Sequence, residues 1–453
     1  MDALTLSVDL YELTMAASFW EQRIDSYATF DLFIRRLPKN RSYFIAAGLQ
    51  AALDYLWNFS FDGQSIAYLK SKKLFKDEFL EYLKTLRFTG GVWALPEGTI
   101  FFPGEPVLRV SAPIIEAQLV ESYLLNTVNI SVTIAAKAAR VVSASCGRGV
   151  YDFSLRRTQG SGAGLIAARS SYIAGCRGSS NVLAGLRYGI PVVGTMAHSF
   201  VMSFKSEIDS FRAYASTFPD NTTLLVDTYD YKTGIENAIK AARELETKGH
   251  RLKAIRLDSG DLVKISKLAR SLLDKAGLDY VEIFASGNLD EFKIERLVKK
   301  NAPIDNFGVG TNMGVSSDAP YSDVIYKLSE IIDKDAVAQP VMKLSQDKVT
   351  YPGRKQILRI TDKRGLFLKD ILALESERIE GKPLLVEVMK AGELVRKGPS
   401  LEEIRNSAIN NLKLLPHRYK NLVTKQAYPV ILSAGLKKMI ADLKKELKAR
   451  IKQ

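Results

Sequence analysis

Short clusters of reactive residue types recur through the middle of this chain, each directly after an apolar run. In order they are Asp152-Phe153-Ser154-Leu155-Arg156-Arg157, Thr195-Met196-Ala197-His198-Ser199, Asp227-Thr228-Tyr229-Asp230, Arg256-Leu257-Asp258-Ser259-Gly260-Asp261, Ser286-Gly287-Asn288-Leu289-Asp290 and Gly308-Val309-Gly310-Thr311-Asn312. Arginines bind anions, and aspartates can hold a metal. The turns at Ser286-Gly287 and Gly308 to Thr311 offer backbone N–H groups and a hydroxyl to a phosphate, as helix N-termini do. One such cluster means little, because a glycine after a strand is most often a plain turn. Their succession carries the argument. Of the three histidines, His250 falls between a helix and the next strand and His417 follows Pro416 in a basic tail, so both read as surface residues. His198 ends an apolar run. It is either a satisfied near-core side chain or, among anion-binding neighbours, a general base or phosphoryl acceptor, since imidazole is a competent nucleophile near neutral pH.

Several chemistries are excluded. The chain has no Walker A motif and no HExxH, and no GxGxxG follows any strand, which removes P-loop NTPases and zinc peptidases and weakens a Rossmann reading. Its two cysteines, Cys146 and Cys176, form no CxxC or Cys/His spacing, so neither a zinc site nor a disulfide framework is expected and a reducing cytoplasm is the simplest compartment. The run Leu224-Leu225-Val226-Asp227 with Asp230-Tyr231-Lys232-Thr233-Gly234 has a loose likeness to the diphosphoribose loop of type I phosphoribosyltransferases. Its acidic pair is broken and its surroundings are not that family's open sheet, so the likeness is set aside as coincidence.

The elements that must position these clusters read as repeated βα units. Apolar runs at Val150–Phe153, Ile190–Val193, Leu224–Val226, Ala254–Leu257, Val281–Ala285 and Asn306–Val309 alternate with amphipathic segments such as Lys232–Thr247 and Asp261–Lys275. That pattern implies a parallel sheet, and its length suits a (β/α) barrel, whose C-terminal strand ends would bring the clusters to one face. Before it, Ala28–Ile34 alternates like a strand, and Gly91–Val110 carries the turns Pro96-Glu97-Gly98 and Pro103-Gly104-Glu105-Pro106, which read as hairpins. Ile114 to Val142 has helical periodicity. A second β-like region, Val341 to Leu372, turns at Pro352-Gly353 and at Lys363-Arg364-Gly365. The fold expected is α/β: an irregular (β/α) barrel of parallel strands with a separate β-rich α+β N-terminal domain completed by C-terminal segments. The domains expected are 1–130, the barrel at 131–340, and a returning segment at 341–453 that ends in a basic amphipathic helix.

Composition is consistent with this. At about 150 residues per domain, 453 residues imply two or three domains. The hydrophobic share of 46% is that of a globular chain with a large core. No apolar run is long enough to span a bilayer, and the acidic start, with Asp2, Asp9 and Glu12, does not read as a signal peptide. The net charge of +14 would suit nucleic acid, an anionic membrane or small anionic substrates. Much of it sits after residue 401, where Leu436, Met439, Ile440, Leu443, Leu447 and Ile451 form a helical stripe between lysines. That segment reads as a terminal helix docking its apolar face, with the lysines in solvent.

Several blocks resemble nicotinate phosphoribosyltransferase. They are Val8-Asp9-Leu10-Tyr11-Glu12-Leu13-Thr14-Met15, Thr29 to Pro38, Asp152 to Gln159, Gly178-Ser179-Ser180-Asn181-Val182-Leu183-Ala184-Gly185, Gly194 to Ser199, Ile255 to Leu262, Ala285 to Asp290 and Phe307 to Asn312. They occur in the family's order and cover residues 8 to about 360. The last 90 or so match less clearly, and the zinc-binding tail of some relatives has no cysteines to build it here.

That resemblance implies transfer of phosphoribosyl from phosphoribosyl diphosphate to nicotinate, giving nicotinate mononucleotide for NAD biosynthesis plus diphosphate, with Mg²⁺ as cofactor and ATP as co-substrate. It implies that His198 is the phosphohistidine and that Asp258 is a catalytic carboxylate near the ribose and metal; the metal ligands are left open. It places nicotinate against Phe153, Arg156, Ser180, Thr195 and Arg256, with Tyr11 reaching in from the neighbouring subunit of a cytoplasmic homodimer with shared sites. Ser286, Gly287, Gly310 and Thr311 would cradle phosphoribosyl diphosphate, with Arg35 as a diphosphate clamp from the other subunit. Neither nucleic acid nor membrane is an expected partner. One alternative is the nicotinamide-specific sister enzyme, which has an acidic residue where Ser180 stands; an aspartate there would accept from an amide and repel a carboxylate. The other is an inactive basic scaffold, against which the intact clusters argue.

Overall fold

The computed structural model describes residues 4–333, 335, 337–344, 350–395 and 397–451. They divide into two compact units, one of residues up to Thr133 together with those from Tyr321 onward, the other Ile134–Pro320.

In the second unit, parallel strands run in the spatial order Gly178–Ser179, Gly149–Asp152, Asn306–Val309, Glu282–Ala285, Ala254–Leu257 and Thr223–Leu225. A parallel bridge from Ser179 to Val192 extends the series. Strands consecutive in sequence are thus neighbours, and the last, Asn306–Val309, returns to pair with the first. Among the described residues the ring is interrupted only between Val192 and Thr223–Leu225. This is an irregular (β/α) barrel. Its strands are short apolar runs because both faces are covered: Leu224, Ile255, Ile283 and Phe307 are all buried. The covering helices Tyr231–Glu246, Leu262–Lys275 and Glu291–Lys299 turn Ile235, Ala238, Ala242 and Leu245, then Ile265, Ala269 and Leu273, then Ile294 and Leu297 inward.

The last aspartate of three clusters is a helix cap. The carboxylates of Asp230, Asp261 and Asp290 accept from the backbone N–H of Thr233 (2.8 Å), Val263 (3.1 Å) and Lys293 (2.7 Å) respectively. Each such cap contributes about 1 kcal/mol. Asp230-Tyr231-Lys232-Thr233-Gly234 is therefore a helix start. Two strand readings shift: Ile190–Val193 makes only the bridge at Val192, and Gly178–Ser179, too short and polar to stand out by pattern, is a strand.

In the first unit, an antiparallel sheet runs in the order Ala338–Pro340, Val324–Ile332, Tyr27–Ile34, Pro106–Pro113, Gly91–Ala94, Val386–Lys390 and Glu393–Leu394. Val386–Lys390 pairs with Gly91–Ala94, so C-terminal residues complete the N-terminal sheet. Val324–Ile332, counted with the barrel on sequence grounds, instead pairs along Tyr27–Ile34. Tyr27–Ile34 is buried on both faces, with Phe30 stacked on Tyr326 at 4.6 Å and Asp31 paired to the buried Lys355 at 2.7 Å. The hairpin reading of residues 91–110 also changes. Gly91–Ala94 does pair with Pro106–Pro113, but the intervening Ile100–Phe101 leaves to pair with Phe44–Ile45.

A four-stranded sheet holds Lys382–Pro383, Lys355–Thr361, Phe367–Leu374 and Val430–Leu432. Of the β-like region 341–372, residues 345–349 lie outside the described residues. Arg359 and Asp370 form a buried pair there, at 2.9 and 2.5 Å, with the Tyr428 hydroxyl donating to Asp370 at 3.3 Å. Burial and the neighbouring Asp370 charge push the Glu105 carboxyl well above the usual range. The helix Ala434–Ile451 forms as expected, and its stripe is buried at Leu436, half-buried at Met439, Ile440, Leu443 and Leu447, and 77% exposed at Ile451.

Candidate active site

Each barrel strand stops as its apolar run ends, and the next residues turn toward one another. Arg256, the third residue of Ala254–Leu257, is the hub. Its Nε donates to Ser286 Oγ at 2.8 Å, Nη1 to Thr195 Oγ1 at 3.0 Å and to the Met196 carbonyl at 3.3 Å, and Nη2 to Asp258 Oδ1 at 2.8 Å. Its guanidinium carbon lies over the Phe153 ring, 5.6 Å from the centroid. Phe153 is backed in turn by Phe284, nearly parallel at 13° and 5.5 Å away. The barrel thus joins four distant stretches of sequence through one side chain that is 14% exposed.

Asp258 accepts from the Ser286 hydroxyl at 2.5 Å as well as from Arg256. Burial works against its charge, but the Ser286 hydroxyl and the Arg256 guanidinium outweigh it, holding the carboxyl below the usual range. Asp258 Oδ2 lies 3.9 Å from His198 Nε2, and His198 Nδ1 is 3.1 Å from Thr228 Oγ1. The imidazole is therefore held at one nitrogen and faces a carboxylate with the other, while 39% of the side chain remains exposed.

Asp227, which stands in a strand-end cluster but among none of the expected site residues, belongs here too. Its Oδ2 accepts from the Asp258 backbone N–H at 2.8 Å and from Ser259 Oγ at 2.7 Å, fixing the Asp258 turn, while Oδ1 is buried without a hydrogen-bond partner. The signal was available: like Asp152 and Asp258, Asp227 stands at the end of an apolar run. Asp152 organises the opposite edge. It accepts from Ser154 N–H at 3.0 Å and Ser179 Oγ at 2.7 Å, and burial raises its carboxyl despite both bonds.

The turns expected to bind phosphate are close-packed. Gly287 has φ +93°, and a Cβ there would collide with the Asp258 carbonyl, so only glycine fits. The Asn312 amide donates to Asn288 Oδ1 at 3.0 Å and to the Leu289 carbonyl at 3.1 Å, tying the turn at 286–289 to the helix Thr311–Gly314 that follows Gly310. Ser180 donates its N–H to the Asp152 carbonyl at 2.8 Å and is half-buried; Arg156 is exposed in the turn Leu155–Arg157. Phe153, Thr195, His198, Arg256, Asp258 and Ser286 are thus joined by direct contacts, with Gly287 packed on Asp258.

Tyr11 and Arg35 lie in the other unit. Tyr11, on the helix Leu10–Glu21, is 47% exposed, and burial together with the carboxylates of Glu121 and Glu12 raises its hydroxyl above the usual phenol range. Arg35 pairs with Asp323 at 3.7 Å.

Sequence comparison matches residues 149–358 to the nicotinate phosphoribosyltransferase (NAPRTase) family, 6–129 to its N-terminal domain and 378–440 to its C-terminal domain. Nicotinate phosphoribosyltransferase pncB2 of Mycobacterium tuberculosis H37Rv is 46% identical over 443 residues, covering 97% of this chain and 94% of that protein. The chain belongs to the nicotinate phosphoribosyltransferase family. A Bacillus subtilis nicotinate phosphoribosyltransferase is 37% identical over 482 residues, covering 100% and 97%. The crystal structure of human nicotinic acid phosphoribosyltransferase superposes with a TM-score of 0.86 at 30% identity, covering 96% of this chain and 99% of that one. Among the described residues, no helix of this family member is long and apolar enough to cross a membrane.

Proposed function

We propose that this chain transfers phosphoribosyl from phosphoribosyl diphosphate to nicotinate, releasing diphosphate and forming nicotinate mononucleotide for NAD biosynthesis, and couples this to ATP hydrolysis through a phosphoryl group on His198. The observation that carries the reading is the convergence of Phe153, Thr195, Arg256, Asp258 and Ser286 at the strand ends of the barrel. Displacing diphosphate from the anomeric carbon builds positive charge on the sugar. Asp258, kept ionised, stabilises that charge and accepts from the ribose hydroxyls. The pyridine nitrogen needs positioning more than activation, and the Phe153–Arg256 slot supplies it. A flat ring in contact with both faces needs about 7 Å, twice an ordinary contact distance. The slot at 5.6 Å must widen by ~1.5 Å on binding. Arg156 and Ser180 face the nicotinate carboxylate in this reading, and Ser180 offers it no negative charge.

Mg²⁺ fits the donors present. It is commonly held by one or two carboxylates plus substrate phosphates, and Asp227 Oδ1 is a buried carboxylate oxygen without a partner. Bound there, the metal would neutralise charge on the departing diphosphate. The Ser286-Gly287 and Gly310-Thr311 turns hold the phosphates of phosphoribosyl diphosphate, with Arg35 clamping the diphosphate from a second subunit. Tyr11 of that subunit completes the nicotinate site, so the working unit is a homodimer. With Nδ1 of His198 held by Thr228, Nε2 is the nitrogen that takes the phosphoryl group. Incubation with γ-labelled ATP tests the coupling: acid-labile, base-stable label on His198 is expected, and label that persists in His198→Asn contradicts the assignment.

A further inference from the structure

The helix Glu121–Ala144 contributes two cations that belong to none of the strand-end clusters. Lys137 Nζ lies 2.5 Å from Glu291 Oε2 and 2.8 Å from Asp318 Oδ1, and Arg140 Nε donates to Glu291 Oε1 at 2.9 Å. Lys137 and Glu291 are 2% and 0% exposed, so this is an interior ion network. Glu291 opens the helix that follows the Ser286–Asp290 turn, and Asp318 follows the short helix Thr311–Gly314 that begins after Gly310. One ammonium group therefore ties together the segments carrying the two glycine turns, and the Asn312 amide ties them a second time. A buried ion pair is a poor device for stability, since apolar residues of equal volume do as well or better. It does fix the relative position of the groups it joins.

We propose that Lys137 is a positioning residue for phosphoribosyl diphosphate: through Glu291 and Asp318 it sets the spacing of the Ser286-Gly287 and Gly310-Thr311 turns. The inference rests on the reading that these turns hold the substrate's phosphates. A cradle at the wrong spacing keeps its donors but misaims them, so the loss falls on one substrate. Lys137→Met and Asp318→Asn should each raise the KM for phosphoribosyl diphosphate by roughly tenfold, the effect of loosening one charged contact, with the nicotinate KM and kcat within about twofold of wild type. Lys137→Arg should recover most of the loss. Asp318→Asn leaves the Glu291 pairs intact and decides the matter if Lys137→Met does not fold. Thr311→Ala is the control for the cradle itself. If it raises that KM while folded Lys137→Met and Asp318→Asn lower only the melting temperature, Lys137 is structural and the inference is overturned. If Thr311→Ala also leaves the KM unchanged, the cradle reading fails and takes the inference with it.

Discussion

Replacing Arg256 by alanine removes the group that holds the strand ends together. The wild-type guanidinium lies over Phe153 at 5.6 Å and bonds Ser286, Thr195, Met196 and Asp258. A charged hydrogen bond of the kind that fixes this slot contributes about 1.5–3 kcal/mol, and a cation–π contact about 0.5–1 kcal/mol more. Together they amount to about 2–4 kcal/mol, or roughly 30- to 1000-fold in kcat/KM for nicotinate. Asp258 loses a partner too, so its carboxyl moves up toward the ordinary range. Activity of Arg256→Ala should accordingly fall off at a higher pH than wild type when the medium is acidified, because in the proposed role only ionised Asp258 stabilises the sugar cation. The assay is steady-state formation of nicotinate mononucleotide with each substrate varied in turn, across pH, on protein shown to be folded by its melting curve. Arg256→Lys, which keeps the charge and loses the fork, should fall between the two. A folded Arg256→Ala enzyme with nicotinate kcat/KM within about threefold of wild type would refute the reasoning.

In the proposed reading the imidazole carries phosphoryl and does not attack the sugar, so His198→Asn should retain slow transfer while losing ATP hydrolysis and the ATP-dependent gain in product; product yield with and without ATP checks this. Glu105 has a folded pKa raised by burial and by Asp370, so the folded chain keeps a proton that the unfolded chain releases. Stability should therefore decline as pH rises from the ordinary carboxylate range through the raised value. Glu105→Gln should flatten that decline, read as melting temperature against pH, and equal slopes would contradict it. In the proposed shared-site dimer, Tyr11→Ala and His198→Ala, each lacking ATP-coupled activity, should regain roughly a quarter of wild-type ATP-coupled sites when co-refolded, since half the dimers would be mixed and each would have one intact site. No recovery of ATP-coupled activity in confirmed dimers would place Tyr11 outside the shared site.

The barrel was legible because Leu224–Val226, Ala254–Leu257 and Asn306–Val309 are covered on both faces and so are mostly apolar, with Arg256 and Asn306 the exceptions. Gly178–Ser179 carries no such pattern: two residues paired beside Asp152 suffice. The partner of Ile100–Phe101 could not be read locally, because Phe44–Ile45 comes from far upstream and only tertiary packing selects it. At the site, His198 stood out by type and position, whereas Arg256 and Asp258 were singled out within their cluster by the family resemblance. Asp227 was in one of the clusters but was given no role, and the diphosphoribose likeness beside it is accounted for by the Asp230 cap. Lys137 gave no signal at all, since a lysine on an apolar helix reads as solvent-facing until Glu291 and Asp318 are brought to it by the fold. The stripe on Ala434–Ile451 was read correctly as a helix, but periodicity does not say how far along it docking extends.

The most direct test of the central claim is turnover of the purified chain with phosphoribosyl diphosphate and nicotinate, nicotinamide or quinolinate in parallel, each with and without ATP. The account predicts nicotinate mononucleotide and diphosphate from nicotinate, increased by ATP, and little product from the other two. Preferred turnover of nicotinamide would contradict the role given to Ser180, and no turnover of any pyridine would leave only a basic scaffold and contradict the account as a whole.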